Sequence, residues 1–396
     1  MKRFITILLF VALMPVYAAA SNNVTFNFYG DVISFRYDKT ALVDFNEAAL
    51  SDEQINAFYE KAENTDFSSL ITALENYRTF KKADDWLFYQ LVRNATEQIS
   101  PKADNYLRYT LYKWYLMVKA GYGTLLSHNN GRLLFYIQCD ENIYNIPYRQ
   151  QNGRQYVCLN YHDYGSNINF EKEVFKGVAI ALPEPQRIFS YKIEKLPDFN
   201  DADYIDKKLQ FTYNTNEYNF SIKINSQITR LFNNYPVVEY KDYINIPLSN
   251  KTYASLITLL KKQLRGLNTK NGVDYLMHFT RYAFPFDADT DVFGSEKRLS
   301  PEQTLLSPYS DCDDRVGLFF FLVKEIYNLP MIVLAYPRHV TIAIKFDKPV
   351  GNTIEYKGAQ YSVCEPTPQS KDLRLGELLP ELKKEAYEVA YVYNPL

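Results

Sequence analysis

The chain has 396 residues, of which 47% are hydrophobic, and its formal net charge is -2. This length predicts two or three domains, and this composition argues against extensive disorder. The near-neutral charge gives no electrostatic reason to expect a nucleic-acid partner. We interpret the abundant tyrosine and phenylalanine as β-rich packing rather than as an aromatic binding surface.

Residues 1–20 have the features of a secretory signal peptide. Met1-Lys2-Arg3 is a charged start, an apolar segment runs from Phe4 to Val16, and small residues precede Ser21. The apolar segment is too short to span a bilayer comfortably. We therefore expect an exported protein, periplasmic or extracellular, with no integral membrane segment after signal cleavage.

Residues 21–185 are predicted to form an accessory region of helices and β-hairpins. Alternating apolar residues on both sides of Gly30-Asp31 predict a hairpin, and helical spacing from residue 51 to about 119 predicts three or four packed helices. Asn129-Asn130-Gly131 and Asn152-Gly153 are hairpin signals. A plain helical bundle is the preferred interpretation of the helices, and a partner-binding platform is the alternative. No partner for this region can be named.

Residues 186–248 predict a small antiparallel β unit followed by a linker. Pro183-Glu184-Pro185 marks a stiff boundary before it, and the turn is expected at residues 214–217. Apolar residues alternate along the second strand, and the set expected to face inward is Tyr218, Phe220, Ile222 and Ile224.

Residues 249–396 are predicted to form the domain that contains the candidate catalytic residues. Two helices are predicted first, one capped by Ser249 and one from Val273 to Phe284. A third begins at Cys312, since Ser310 or Asp311 can cap the free N–H groups and apolar residues follow at helical spacing. Strands are predicted at residues 331–336, 339–346 and 360–364.

Three residues in this region have the order that thiol catalysis needs. Cys312 lies at a helix start, His339 at a strand start and Glu365 at a strand end. They supply a nucleophile, a base and an acid that orients the base. Free N–H groups at the helix start are expected to lower the pKa of the thiol, whereas Asp311 and its acidic neighbours oppose that effect.

These segments, with Pro301-Glu302-Gln303-Thr304-Leu305, resemble the transglutaminase-like cysteine protein superfamily over about residues 251–380. The resemblance implies a papain-like core in which Cys312 is the nucleophile and His339 the base. Glu365 takes the place of the third residue, which is usually aspartate. The superfamily includes transglutaminases, bacterial cysteine peptidases and members with no known activity.

The fold expected for the whole chain is therefore α+β. The expected function is attack on an amide bond of a protein or peptide substrate, with hydrolysis of the thioester preferred. Transfer to an amine, or a catalytically silent binding protein, are the alternatives. The backbone N–H of Cys312 is the expected oxyanion donor, and Gln303 is a weaker side-chain candidate.

The 4 cysteines allow disulfides in an exported protein. A bridge between Cys139 and Cys158 is predicted, because both lie in strand-like stretches that could pair. Cys364 is predicted to be a small buried residue, and a bridge between Cys312 and Cys364 is the alternative that would silence the site.

No cofactor or metal is predicted. No two histidines have the spacing of a zinc site. The run from Asp287 to Gly294 hints at calcium, but Val292 and Arg298 occupy the places where an EF-hand loop needs glycine and glutamate, so an acidic surface loop is expected. Calcium between Asp311 and Asp313 is left as an alternative on the family resemblance.

Overall fold

The computed structural model describes residues 21–170, 172–285 and 297–395. The predicted signal peptide and the acidic run from Asp287 to Gly294 lie outside these residues. Within them, α-helices alternate with antiparallel sheets along the chain. The predicted α+β class is thereby confirmed.

The described part of the chain starts with a β-hairpin and a group of helices. Strands β1 (Ser21–Phe28) and β2 (Asp31–Asp38) pair around Gly30 as predicted. Four helices follow, which are α1 (Asp52–Glu63), α2 (Ser68–Lys81), α3 (Asp85–Ile99) and α4 (Tyr106–Lys119). Ser51, Asp84 and Asn105 cap three of them with their side chains, which fixes where each helix begins.

A five-stranded sheet with the order β6-β7-β4-β3-β8 follows the helices. Its strands are β3 (Thr124–Asn129), β4 (Arg132–Gln138), β6 (Tyr148–Gln151), β7 (Arg154–Cys158) and β8 (Lys176–Gly177), and the short β5 (Ile143–Tyr144) lies outside this sheet. Asn130-Gly131 and Asn152-Gly153 all have positive φ. Such turns match the twist of the strands they join, which is why these pairs signalled hairpins.

The predicted Cys139–Cys158 disulfide is wrong, because both thiols are free. Cys158 pairs with Tyr136 across the ladder, whereas the N–H of Cys139 donates to the carbonyl of Gln155. This offset of three residues puts the two sulfurs on opposite faces of the sheet, where they belong to different hydrophobic clusters. Neither side chain can reach the other.

The predicted β unit is a hairpin of β9 (Tyr204–Tyr213) and β10 (Asn216–Asn225), with its turn at Asn214-Thr215. Phe220, Ile222 and Ile224 are buried as predicted, and Tyr218 is half-buried. Residues 188–203 form no strand, although buried aromatic residues such as Phe189 and Tyr191 alternate there. The linker holds three short elements, α5 (Ile228–Leu231), β11 (Val237–Val238) and α6 (Tyr240–Tyr243), and β11 pairs with β5.

Four helices and a second sheet follow among the residues that the structure describes after the linker. The helices are α7 (Asn250–Gln263), α8 (Thr269–Tyr282), α9 (Pro301–Leu306) and α10 (Cys312–Tyr327). The sheet has the order β14-β15-β13-β12-β16, with β12 (Met331–Tyr336), β13 (His339–Ile344), β14 (Thr353–Tyr356), β15 (Ala359–Cys364) and β16 (Glu388–Tyr393). Helix α10 packs against β13 and α8, which brings the start of α10 to the sheet.

Ser249 precedes α7 as predicted, but its side chain does not cap that helix. Its hydroxyl donates instead to Glu302 Oε1 at 2.8 Å, and its N–H donates to Glu302 Oε2 at 2.6 Å. Glu302 is fully buried and also accepts from the Thr252 hydroxyl. Because these donors satisfy a buried carboxylate, Ser249 joins α7 to α9.

None of the helices within the described ranges is both long and apolar enough to cross a lipid bilayer.

Candidate active site

Cys312 is the first residue of α10, and Asp311 is the cap. The Asp311 side chain accepts from the N–H of Asp314 at 3.2 Å, and Asp314 Oδ2 accepts from the N–H of Asp311 at 3.4 Å. The sequence offered Ser310 or Asp311 for this role. The first N–H groups of a helix have no acceptor within the helix, so the Cys312 N–H remains a candidate oxyanion donor.

His339 and Glu365 are joined directly by a hydrogen bond. His339 is the first residue of β13, and Glu365 follows the last residue of β15, which pairs with β13. His339 Nε2 lies 2.7 Å from Glu365 Oε2, and Glu365 Oε1 accepts from the N–H of Thr367 at 3.0 Å. Because both carboxylate oxygens are held, the imidazole is fixed through Nε2 and its Nδ1 is left for another partner.

The sulfur of Cys312 lies against the strand that carries His339. The backbone N–H of Val340, the next residue, lowers the pKa of this thiol, and the charge of Glu365 raises it. The thiol itself donates to Asp313 Oδ1 at 3.7 Å. Among the described residues, no hydrogen bond joins Cys312 to His339. The structure therefore joins His339 to Glu365, whereas the thiol proton of Cys312 is directed to Asp313.

The pKa of the Cys312 thiol is raised, so the expectation of a lowered pKa is wrong. Burial is the main cause, and the negative charges of Asp313 and Asp311 add to it. The Val340 N–H favours the thiolate but does not outweigh these effects. The resting Cys312 side chain is therefore a neutral thiol.

The pKa of His339 is raised above its ordinary value of 6.5. Burial alone would lower it, but the hydrogen bond and charge of Glu365 outweigh burial, and Asp313 and Glu385 add to the rise. A raised folded-state pKa stabilises the fold fully below pH 6.5, and this stabilisation is lost as pH rises through the folded pKa. The imidazole is neutral, and able to accept a proton, only above that pKa.

Asp313 is held by two side chains that the sequence analysis did not place in the site. Arg298 Nε donates to Asp313 Oδ2 at 3.2 Å, and the Tyr240 hydroxyl donates to the same oxygen at 3.1 Å. The Arg298 guanidinium also lies over the Tyr240 ring, 4.1 Å from its centroid. The ion pair of Arg298 and Asp313 therefore lies beside the thiol.

Two buried arginines connect the helix of Cys312 to Glu365, and the sequence analysis missed their role. Arg315 Nη1 donates to the carbonyls of Thr280 and Arg281, both at 2.8 Å. The Arg281 side chain donates to the main-chain carbonyl of Glu365 through Nε at 3.1 Å and also through Nη2. Arg315 thus ties α10 to the end of α8, and α8 holds the residue that orients His339.

Gln303 does not supply an oxyanion donor in this arrangement. Its Oε1 accepts from the N–H of Ser300 at 3.1 Å, and the Ser300 hydroxyl accepts from the N–H of Gln303. The side chain therefore completes the capping box of its own helix.

No metal site forms around these acids. The part of the chain that the structure describes contains no group of three or more potential metal ligands. Asp311 caps α10, and Asp313 is bonded to Arg298 and Tyr240, which accounts for both carboxylates without calcium. Cys364 is fully buried, as predicted, and Cys312 and Cys364 are both free, so no disulfide silences the site.

Comparisons with protein-family models, with curated proteins and with solved structures find no match to this chain.

Replacing Asp313 by asparagine is expected to make Cys312 more reactive. The amide keeps an oxygen that can accept from Arg298 and Tyr240, but the negative charge beside the sulfur is gone. Each unit by which the thiol pKa falls raises the thiolate fraction about tenfold, so we expect about tenfold faster iodoacetamide labelling at pH 7.5. Cys139, Cys158 and Cys364 are buried, so labelling of the native protein reports on Cys312.

Asp206→Asn is the matched control, since Asp206 is an exposed residue of β9 that pairs with Lys223. Labelling at the wild-type rate in Asp313→Asn would show that Asp313 does not control the thiol.

Proposed function

We propose that this chain is an exported, transglutaminase-like thiol enzyme that acts on amide bonds of a protein or peptide substrate. Cys312, His339 and Glu365 are its catalytic residues, and residues 249–396 are its catalytic domain. The observation that carries the proposal is the His339–Glu365 hydrogen bond of 2.7 Å. The backbone N–H of Val340, which follows His339, lowers the pKa of the Cys312 thiol. The proposal of export rests on the character of residues 1–20.

The proposed reaction begins with proton transfer from the Cys312 thiol to His339 Nδ1. The sulfur then attacks the amide carbon, and the Cys312 N–H stabilises the negative oxygen that forms. The C–N bond breaks, the imidazolium returns its proton to the leaving amine, and a thioester remains on Cys312. Glu365 stabilises the imidazolium while it carries the proton.

Water completes a hydrolytic cycle. Neutral His339 takes a proton from water, the resulting hydroxide attacks the thioester, and the Cys312 sulfur leaves with the proton that His339 returns. An amine in place of water would give a transferase. Hydrolysis is preferred because no amine-binding pocket is evident in the sequence.

The two fates are separated by incubating the protein with a glutamine peptide and a labelled primary amine. Ammonia release without incorporation of the label is expected. Incorporation would instead identify a transferase. If the Cys312→Ala protein still released ammonia or incorporated the label at the wild-type rate, the proposal would be wrong.

A silent binding protein is the second candidate, because the raised thiol pKa and the Cys312–Asp313 hydrogen bond both oppose thiolate formation. A thiol-directed activity probe separates the candidates. Labelling that depends on His339 supports the enzyme, and labelling with the pH profile of an ordinary thiol supports the binding protein.

Turnover is expected to depend on pH through His339. Because its pKa is raised above 6.5, the base form is lost as pH falls, and the acidic limb of the rate profile should have its midpoint above pH 6.5. In Glu365→Gln the charge that raises this pKa is removed, so the midpoint should move to lower pH while turnover falls. A midpoint unchanged by that substitution would contradict the assigned pair.

A further inference from the structure

A cleft opens beside the two side chains that hold Asp313, which are Tyr240 and Arg298. It has a volume of about 370 Å³ and lies between α6 on one side and strands β12 and β16 on the other. Tyr240 and Arg298 line it, and both donate to Asp313, the acceptor of the Cys312 thiol. Ala335 lines the other wall and pairs with Val340, whose N–H lowers the pKa of the thiol. Each wall of the cleft therefore contains a partner of a residue that acts on the thiol.

One wall of this cleft includes the edge strand of a sheet, together with Ala335 of the strand beside it. Strand β16 is the terminal strand of its sheet among the described strands, with β12 as its neighbour. Glu388 and Ala390 of β16 line the cleft. A strand edge presents N–H and C=O groups at regular spacing, and an extended peptide is the ligand that satisfies them.

A second cavity continues the cleft toward the N-terminal region. Tyr144 lines both, and the neighbouring residues Lys297 and Arg298 line one each. The second cavity has a volume of about 290 Å³. Its aromatic floor contains Trp86, whose ring centroid lies 5.9 Å from that of Tyr191 and 5.2 Å from that of Tyr235.

The rim of this second cavity is polar, and Lys297 adds a positive charge to its lining. Three carboxamides lie there, from Asn145, Asn233 and Asn234. An aromatic floor with amide groups at the rim accommodates a large uncharged side chain, and an aromatic one best, because the ring packs below while any polar tip meets an amide. A charged side chain would lose its hydration over the aromatic floor.

We infer that the two cavities form one peptide-binding groove, in which an extended segment of the substrate pairs with β16 and places a large uncharged side chain in the aromatic cavity. This inference rests on the proposed function for its position relative to the scissile amide. It assigns the N-terminal region, which supplies Trp86, Tyr144 and Asn145, the role of a substrate-selecting wall. The substrate class is then an unfolded or extended polypeptide rather than a compact protein surface.

The experiment selects from a randomised decapeptide library on immobilised Cys312→Ala protein, so that binding is measured without turnover. Selected peptides are expected to be enriched in tyrosine, tryptophan, phenylalanine or leucine at one fixed position. Tyr144→Ala, made in the Cys312→Ala protein, should weaken binding of the selected peptide about tenfold, because an aromatic wall shared by both cavities is lost. N-methylation of alternate peptide bonds should also weaken it, since pairing with β16 uses backbone groups.

Tyr148→Ala is the matched control. Tyr148 is 60% exposed on a neighbouring strand and lines neither cavity, whereas Tyr144 is 46% exposed, so neither truncation should disturb the core. Absence of positional enrichment, or equal affinity in the Tyr144→Ala and Tyr148→Ala proteins, would overturn the groove. Selected peptides that bind but are not cleaved or modified by the wild-type protein would overturn the proposed function and leave the groove standing.

Discussion

Amide-bond turnover is expected to fall at least about a thousandfold when His339 is replaced by alanine. The neutral thiol of Cys312 needs a base before it can attack, because burial and the charges of Asp313 and Asp311 hold its pKa high. The leaving amine also needs the proton that the imidazolium returns. Both steps lose their proton carrier in this variant, so the rate constant of the first turnover should fall with kcat.

The measurement is release of amine from a peptide substrate, with thermal unfolding recorded in parallel. His128→Ala is the control, because His128 lies in the N-terminal region on β3, pairs with Asp52 and lines neither cavity of the proposed groove. Wild-type turnover in folded His339→Ala would mean that another group takes the thiol proton, and Asp313 would be the first to examine.

Replacing Arg315 by methionine is expected to lower the free energy of unfolding by about 3–5 kcal/mol. The guanidinium donates to four main-chain carbonyls at the end of α8, from Thr280, Arg281, Phe284 and Pro285. Methionine fills much of the volume but donates nothing, so buried carbonyls lose their partners. Burial lowers the pKa of Arg315 to about 10, which leaves the side chain charged at neutral pH.

The measurement is the midpoint of denaturant unfolding, with the slope checked for constancy. Arg78→Met is the matched control. Arg78 is also a buried arginine, but its ion pair is with Glu75, one turn away on the same helix, so the expected loss is about 1 kcal/mol. Similar midpoints for the two variants would show that Arg315 does not join α10 to α8.

The order of helices and strands followed from local patterns. Polar caps followed by apolar residues at helical spacing marked α1 and α10, and Asn-Gly pairs marked two hairpins. These signals depend on residues that are close together in the sequence, so contacts between distant residues do not alter them. Apolar residues also alternate at residues 188–203, which is typical of a strand. This segment forms no strand, because neighbouring elements bury these residues without strand pairing.

The properties of the candidate site depended on contacts between distant residues. The sign of the thiol pKa shift follows from burial and from how Asp313 is held, and no local pattern reveals either. Arg281 and Arg315 act through main-chain carbonyls, which every residue carries, so their partners leave no mark in the sequence. Their one signal was an arginine within an apolar helical pattern. The Cys139–Cys158 pairing failed because the register of β4 and β7 decides which face each sulfur occupies.

The central claim is that the Cys312 sulfur, activated by His339, forms a thioester. The most direct test is to mix the protein with a peptide ester, quench in acid and map the acyl group by mass spectrometry. The account predicts an acyl group on Cys312 in the wild-type protein and far less in His339→Ala. Acylation of a different residue, or equal acylation of Cys312 with and without His339, would contradict it.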